Sequence, residues 1–175
     1  MSETLSVVAK TKQCLANIFQ YDPKVNAFIT VMEEEALAGA READAGFERG
    51  GACGLLHGMP ISVKDCIDVA EVRCTNGTRF FENYVPVEDA LVVKRLRRAG
   101  AIIIGKTNLH EFAYGSTTQN PHYGPTRNPW DLERIPSGSS GGAAVSVALE
   151  MCAGAVASDT GGSVRTPAAV NGVSG

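Results

Sequence analysis

Two short runs rich in glycine and serine carry the residue types from which acyl-transfer chemistry is built. The first is Gly138-Ser139-Ser140-Gly141-Gly142, which opens a helical stretch. The second, Asp159-Thr160-Gly161-Gly162-Ser163-Val164-Arg165, places Ser163 24 residues after Ser139. A serine that follows a glycine pair at the end of a strand sits beside backbone N–H groups that no side chain obstructs. Such a nest holds an oxyanion while the hydroxyl attacks. The attacking serine needs a base. The three histidines, His57, His110 and His122, read as surface or structural residues. Lys64 is the better candidate, because it ends the apolar run Pro60-Ile61-Ser62-Val63, where burial lowers a lysine's pKa towards neutrality. A structural alternative stands beside this one: Lys64 pairs with Asp65 or Asp68 on a surface, and the serines cap helices. Residue types and spacing leave the two open.

Two other motifs match in letters and fail in context. Gly100-Ala-Ile-Ile-Ile-Gly105-Lys106-Thr107 fits the phosphate-loop pattern GxxxxGK[ST], which needs a permissive loop with its N–H groups turned inward. Ile102, Ile103 and Ile104 are β-branched and favour an extended, buried strand where that loop should be. Gly138-Ser139-Ser140-Gly141-Gly142 also fits GxSxG, the nucleophile elbow. That elbow needs a hydrophobic strand directly before it, and Glu133-Arg134-Ile135-Pro136-Ser137 supplies none.

The elements that must position these residues follow from periodicity. Leu5, Val8, Leu15, Ile18 and Phe19 share one face of a helix from Glu3 to about Gln20, and Phe28–Val31 is extended. A second helix begins at Glu33-Glu34-Glu35, favourable at the positive end of the dipole. It places Ala36, Ala40, Ala43 and Phe47 inward and stops at Gly50-Gly51. Further on, Pro60–Val63 reads as a strand and Asp89–Ala99 as a helix with Val92, Val93, Leu96 and Ala99 inward. Ala101–Ile104 reads as a strand, Ser140–Met151 as a helix and Ala153–Ala157 as a strand. This alternation predicts an α/β fold with a mixed, partly parallel sheet. The basic quartet Lys94, Arg95, Arg97 and Arg98 reads as a solvated helix end that complements the dipole, not as a nucleic-acid site.

Composition narrows the class. The chain has 175 residues, 44% hydrophobic and 20% charged, with a formal net charge of −3. That is one globular domain without a positive field to recruit nucleic acid or anionic membrane. No apolar run reaches membrane-spanning length and no signal-peptide pattern opens the chain. Five cysteines, with no CxxC pair, fit reduced thiols in a cytoplasmic protein. Glycine is high, at 19 residues, and concentrates in residues 136–175 with alanine and serine. A flexible linker would not carry Val145, Val147, Leu149, Met151, Val156, Val164 and Val170, so the stretch reads as closely packed backbone. The apolar end at Asn171–Gly175 suggests the N-terminal part of a longer protein.

At these residues the sequence resembles the amidase signature family. The matching runs are Gly58-Met-Pro-Ile-Ser-Val-Lys64-Asp65, Gly105-Lys-Thr-Asn-Leu-His-Glu-Phe112 and Asn128-Pro-Trp-Asp131. They continue in Ser137-Gly-Ser-Ser-Gly-Gly142, Ser158-Asp-Thr-Gly-Gly-Ser-Val-Arg165 and Pro167-Ala-Ala, in the family's order. The resemblance implies a layered α/β/α fold around a mixed sheet, of which this chain would be the first part. Residues 1–55 would form a helical N-terminal segment and 56–175 a catalytic portion of one amidase domain. It implies Ser163 as acyl-forming nucleophile, Ser139 as a bridging serine after a cis peptide at Gly138, and Lys64 as the base. Backbone N–H groups of Thr160, Gly161, Gly162 and Ser163 would form the oxyanion hole. Asn171 stands where many members carry Cys, and the family's remainder supplies most of the acyl pocket.

The resemblance thus implies hydrolysis of a carboxylic amide to acid and ammonia through an acyl-serine, with no metal and no cofactor. The alternative is the A subunit of a tRNA-dependent (Glu/Asp) amidotransferase that releases ammonia from glutamine for a partner subunit. From another class, the chain would be a catalytically incomplete fragment. The expected partner is a small amide substrate, with no membrane; nucleic acid enters only through the amidotransferase reading, and a homo-oligomer is compatible with both.

Overall fold

The structure, a computed structural model, describes residues 6–51 and 54–175. Ser6 opens helix α1 (Val7–Val25) by accepting a hydrogen bond from the Ala9 N–H. Two more orphan donors of that first turn, the Val7 and Val8 N–H groups, are taken by the Asp44 carboxylate of α2 (Glu33–Glu48) at 2.8 and 3.1 Å. This contact fastens the two helices together. Between them runs β1 (Phe28–Val31), followed later by β2 (Pro60–Lys64), α3 (Leu91–Arg98) and β3 (Ile102–Thr107). A small hairpin of β4 (Gln119–Asn120) and β5 (Gly124–Pro125) precedes α4 (Gly141–Ala148), β6 (Gly154–Val156) and α5 (Arg165–Asn171).

The main sheet has the order β1-β3-β2-β6, with β1 antiparallel to β3 and the other pairs parallel. Its two central strands, β2 and β3, are buried along their whole length. On one face, Ile102 and Ile104 pack with α1, α2 and Val145 of α4. On the other, Ile61, Val63 and Ile103 pack with Val93 of α3 and Val69. The fold is a layered α/β arrangement around a mixed sheet, as the alternation of elements predicts. The sheet contains one irregularity with consequences for the site: Ile61 pairs with Ile103 but Ser62 with Gly105. Ile104 is therefore an extra residue, a β-bulge, and the alternation of β3 reverses after it.

Several expectations are corrected. Phe19 and Phe47 are exposed, at 55% and 65%, and so is Val92. Phe19 lies next to Ile18 and Val92 next to Val93, and a helical neighbour is turned by about 100°, so each looks away from the core its neighbour fills. In α2 full burial stops with Ala36 and Ala40. Helix α1 continues past Gln20 through Pro23 to Val25. The expected start at Glu3 and the Leu5 contact lie outside the described residues, as does Cys53. Cys14, Cys66, Cys74 and Cys152 are free thiols. Strand β3 runs on through Gly105-Lys106-Thr107, so the phosphate-loop match is ladder, not cradle. Helix α5 was not legible, being seven residues long with Pro167 inside it.

Gly142 sets how closely α4 approaches the sheet. A Cβ there would collide with the Ala27 carbonyl oxygen and stand 2.6 Å from that of Asn108, both backbone atoms that cannot rotate away. Gly142→Ala is expected to lower the unfolding free energy by about 1–3 kcal/mol, measured by urea denaturation. A variant of unchanged stability would show that α4 has room to move.

Candidate active site

Strand β2 delivers Lys64 to the sheet's C-terminal edge with no solvent exposure. Its Nζ donates to Ser139 Oγ at 2.7 Å and to Ser158 Oγ at 2.9 Å. Asp65 is not its partner: that carboxylate is 2.8 Å from Lys106 Nζ. Among the described residues Lys64 has no carboxylate within ion-pair distance. Burial pulls its pKa below the ordinary lysine value, opposed by the nearby Cys66 and Asp159. A protonated lysine has donors only, whereas a neutral one offers a lone pair to a hydroxyl proton.

Ser139 is fully buried, just before α4, and its carbonyl accepts from the His110 N–H at 3.0 Å. The Gly138–Ser139 peptide is cis. Gly138 is where two loops touch: a Cβ would lie 2.8 Å from the Thr117 nitrogen. Thr118 Oγ1 donates to the Ser137 carbonyl at 2.8 Å and accepts from the Gly141 N–H at 3.0 Å, while Thr166 Oγ1 donates to the Gly138 carbonyl at 3.3 Å. The capping alternative does not describe Ser139, since its hydroxyl meets Lys64. Ser140 holds the N-cap position of α4 without a side-chain cap bond. Its hydroxyl donates instead to the Ser158 carbonyl at 3.3 Å.

Ser163 comes from the loop between β6 and α5. The Ser140 N–H donates to its carbonyl at 3.3 Å, which joins this loop to the start of α4. Ser163 is half-buried, and its hydroxyl has no hydrogen-bond partner among the described residues. The loop is held by Asp159, whose Oδ1 accepts from the Gly162 N–H and from Arg165 Nη2, both at 2.8 Å. Asp159 Oδ2 accepts from the Val164 and Arg165 N–H groups at 3.0 and 3.1 Å. Arg165, followed by these N–H groups, holds the Asp159 carboxyl far below the usual carboxylate range. Because the Gly162 N–H is turned to Asp159, the N–H groups of Thr160, Gly161 and Ser163 are the ones without partners here.

Lys64, Ser139 and the Ser163 loop, distant in sequence, meet at one edge of the sheet. The rings of two histidines are engaged elsewhere: His110 Nδ1 is 3.1 Å from Thr117 Oγ1 and His122 Nε2 is 2.8 Å from Glu111 Oε1. Sequence reading missed the part played by Ser158. It follows a strand of glycine, alanine and valine, and only the pairing of β6 with β2 shows that it faces Lys64. A groove of ≈ 360 Å³ opens beside the site, lined by Ser140, Ala144, Ala157, Val164, Ala168 and Val173.

The model of the Amidase family matches residues 9–175. The chain is 48% identical to the A subunit of the glutamyl-tRNA(Gln) amidotransferase from Carboxydothermus hydrogenoformans, over 99% of this chain and 36% of that protein. The crystal structure of the corresponding subunit from Thermotoga maritima superposes with a TM-score of 0.80 at 41% identity, over 94% of this chain and 34% of that one. The native peptide amidase from Stenotrophomonas maltophilia superposes with a TM-score of 0.89 at 36% identity, over 95% of this chain and 36% of that one. The chain thus spans about a third of the length of the proteins it matches.

The burial of Lys64 has a measurable consequence for stability. An unfolded lysine titrates near 10.4, and in the fold the value is lower. Between the two values the unfolded chain binds more protons, so stability rises with pH through that window and falls as pH drops to the folded value. Lys64→Met is therefore expected to be more stable than the parent at pH 7, with the advantage shrinking towards pH 10. Urea denaturation at both pH values checks this; a variant less stable at both would mean the ammonium is well accommodated.

Proposed function

The chain belongs to the amidase family, and from that premise we propose that its site cleaves a carboxamide through an acyl-serine, with glutamine as the amide. The contact of Lys64 with Ser139, in a buried setting with no carboxylate at ion-pair distance among the described residues, carries the proposal. In this reading Ser163 attacks the carbonyl carbon and its proton passes through the Ser139 hydroxyl to neutral Lys64. The N–H groups of Gly161 and Ser163, with Thr160, receive the developing oxyanion. The C–N bond then breaks, the proton returns through Ser139 to the departing nitrogen, and ammonia leaves. Water attacks the acyl-serine along the same relay and frees the acid.

Glutamine is favoured because curated relatives, such as the 48% identical protein from Carboxydothermus hydrogenoformans, are A subunits of a glutamyl-tRNA(Gln) amidotransferase. The released ammonia would then serve a partner subunit, and nucleic acid would be met by the assembly. The likeness to a peptide amidase supports a second reading, a hydrolase acting alone on another carboxamide. Ammonia release from glutamine that depends on added partner subunits favours the first; release from simple amides without them favours the second.

In the full-length protein, Ser163→Ala should abolish labelling by a fluorophosphonate probe while the fold persists. Lys64→Ala and Lys64→Arg should each lower kcat by about 10²–10⁴, since arginine keeps the charge but cannot act as a base. Activity of the parent should rise with pH along one ionisation. Labelling that survives in Ser163→Ala, or near-normal kcat in Lys64→Arg, would sink the relay.

A further inference from the structure

The sheet carries two lysines with no solvent exposure, Lys64 on β2 and Lys106 on β3. Their surroundings differ. Lys106 Nζ is 2.8 Å from Asp65 Oδ1, with both side chains fully buried, and donates to the Arg73 carbonyl at 3.3 Å. The other oxygen of Asp65 accepts from the Thr75 N–H at 3.0 Å and from the Thr75 hydroxyl. Lys64 has hydroxyl partners only. Yet Asp65 is the residue after Lys64, with Cα atoms about 3.8 Å apart. The carboxylate that is next in the chain to one buried lysine is paired with the other, the one that takes no part in the relay.

The backbone makes that allocation. Ser62 and Lys64 face α4, where Ser62 Oγ is 3.1 Å from Ser146 Oγ. Val63 faces the opposite core, with Val69 and Val93. The bulge at Ile104 sets Lys106 opposite Val63 and Thr107 opposite Lys64. Had β3 alternated regularly through Ile104, Lys106 would turn to the α4 face, the face of Lys64 and the serines. With the bulge, Lys106 shares the far face with Asp65.

We infer that Lys106 is a positioning residue for Lys64: by pairing with Asp65 it cancels the carboxylate charge next to Lys64 and leaves that amine free to release its proton. The inference rests on the reading of Lys64 as the base. A lone buried carboxylate would hold Lys64 protonated, because an opposite charge nearby favours the charged form. The other titratable groups facing Lys64 are Cys66, in the turn after β2, and Asp159, which Arg165 already neutralises. Helix α4 and strand β6 bring none.

The test is an NMR titration of the chain with 13C-labelled lysine, following the Cε resonances, with Lys64 assigned by its loss in Lys64→Met. In the unmodified chain Lys64 should lose its proton at lower pH than the exposed lysines. In Lys106→Met the Lys64 midpoint should move up by about 1–3 pH units, and Asp65→Asn with Lys106→Met should return it to the parent value. A merely structural Lys106 would lower stability in the single variant without moving that midpoint. An unmoved midpoint in folded Lys106→Met overturns the inference. If that variant does not fold, Lys106→Gln, which removes the charge and keeps a donor for the Arg73 carbonyl, is read in the same way, and an unmoved Lys64 midpoint there overturns the inference. A Lys64 that titrates with the exposed lysines in the parent overturns the base reading instead, and is told apart by that.

Discussion

A lysine amine held away from water, 2.7 Å from a serine hydroxyl and without a carboxylate of its own, is the constraint around which this structure is organised. Burying a charge that nothing compensates is costly, and a protein meets that cost by lowering the group's pKa until it is neutral. Everything that excludes water from Lys64 therefore also adjusts its chemistry. The fully buried strands β2 and β3 supply the enclosure on two sides. The start of α4 supplies the third, and it approaches the ends of β1 and β3 so closely only because Gly142 has no side chain to hold it off.

The same logic explains the small-residue stretch from Pro136 onwards. Its glycines, alanines and serines let the loop at Ser116–Thr118, the turn at Gly138 and helix α4 approach at backbone contact distance. Hydroxyls then take the polar groups that such close packing would strand: Thr118 accepts from the Gly141 N–H and donates to the Ser137 carbonyl, and the Thr166 hydroxyl proton is shared between the Gly138 and Gly162 carbonyls. Buried backbone polar groups left unpaired would each cost about 1–3 kcal/mol. The small hydroxyl residues are thus part of the scaffold as well as of the candidate site.

The site runs from a sealed interior to a half-open rim. Lys64 and Ser139 are buried, while Ser163 is half-buried in a loop fastened by Asp159 and Arg165. The proposed relay would gain from a dry inner end, where burial lowers the amine's pKa, and a nucleophile from an outer end that substrate can reach. The Asp159 carboxylate, in gathering N–H groups at Gly162, Val164 and Arg165, shapes which of the loop's amides remain for an oxyanion. The groove beside α4 and β6 continues from that rim.

Local chemistry determined much of this before any coordinates. Runs of β-branched residues made Ile102–Ile104 a strand and excluded the phosphate loop, and apolar periodicity set α1, α2 and α3, because burial on one face of a regular element leaves its period in the sequence. The residue types at Lys64, Ser139 and Ser163 pointed to acyl transfer. The partners of those residues did not show. Asp65 follows Lys64 and looked like its counter-ion, yet it pairs with Lys106, because one extra residue at Ile104 reverses which way β3 faces. Ser158 reached Lys64 only through the pairing of β6 with β2. Phe19, Phe47 and Val92 fit the helical period of a core face and lie outside the core. The pairings of Asp65 and Ser158 depend on where separate elements meet, and a register or a bulge is a property of two strands together, which neither strand's own residues record.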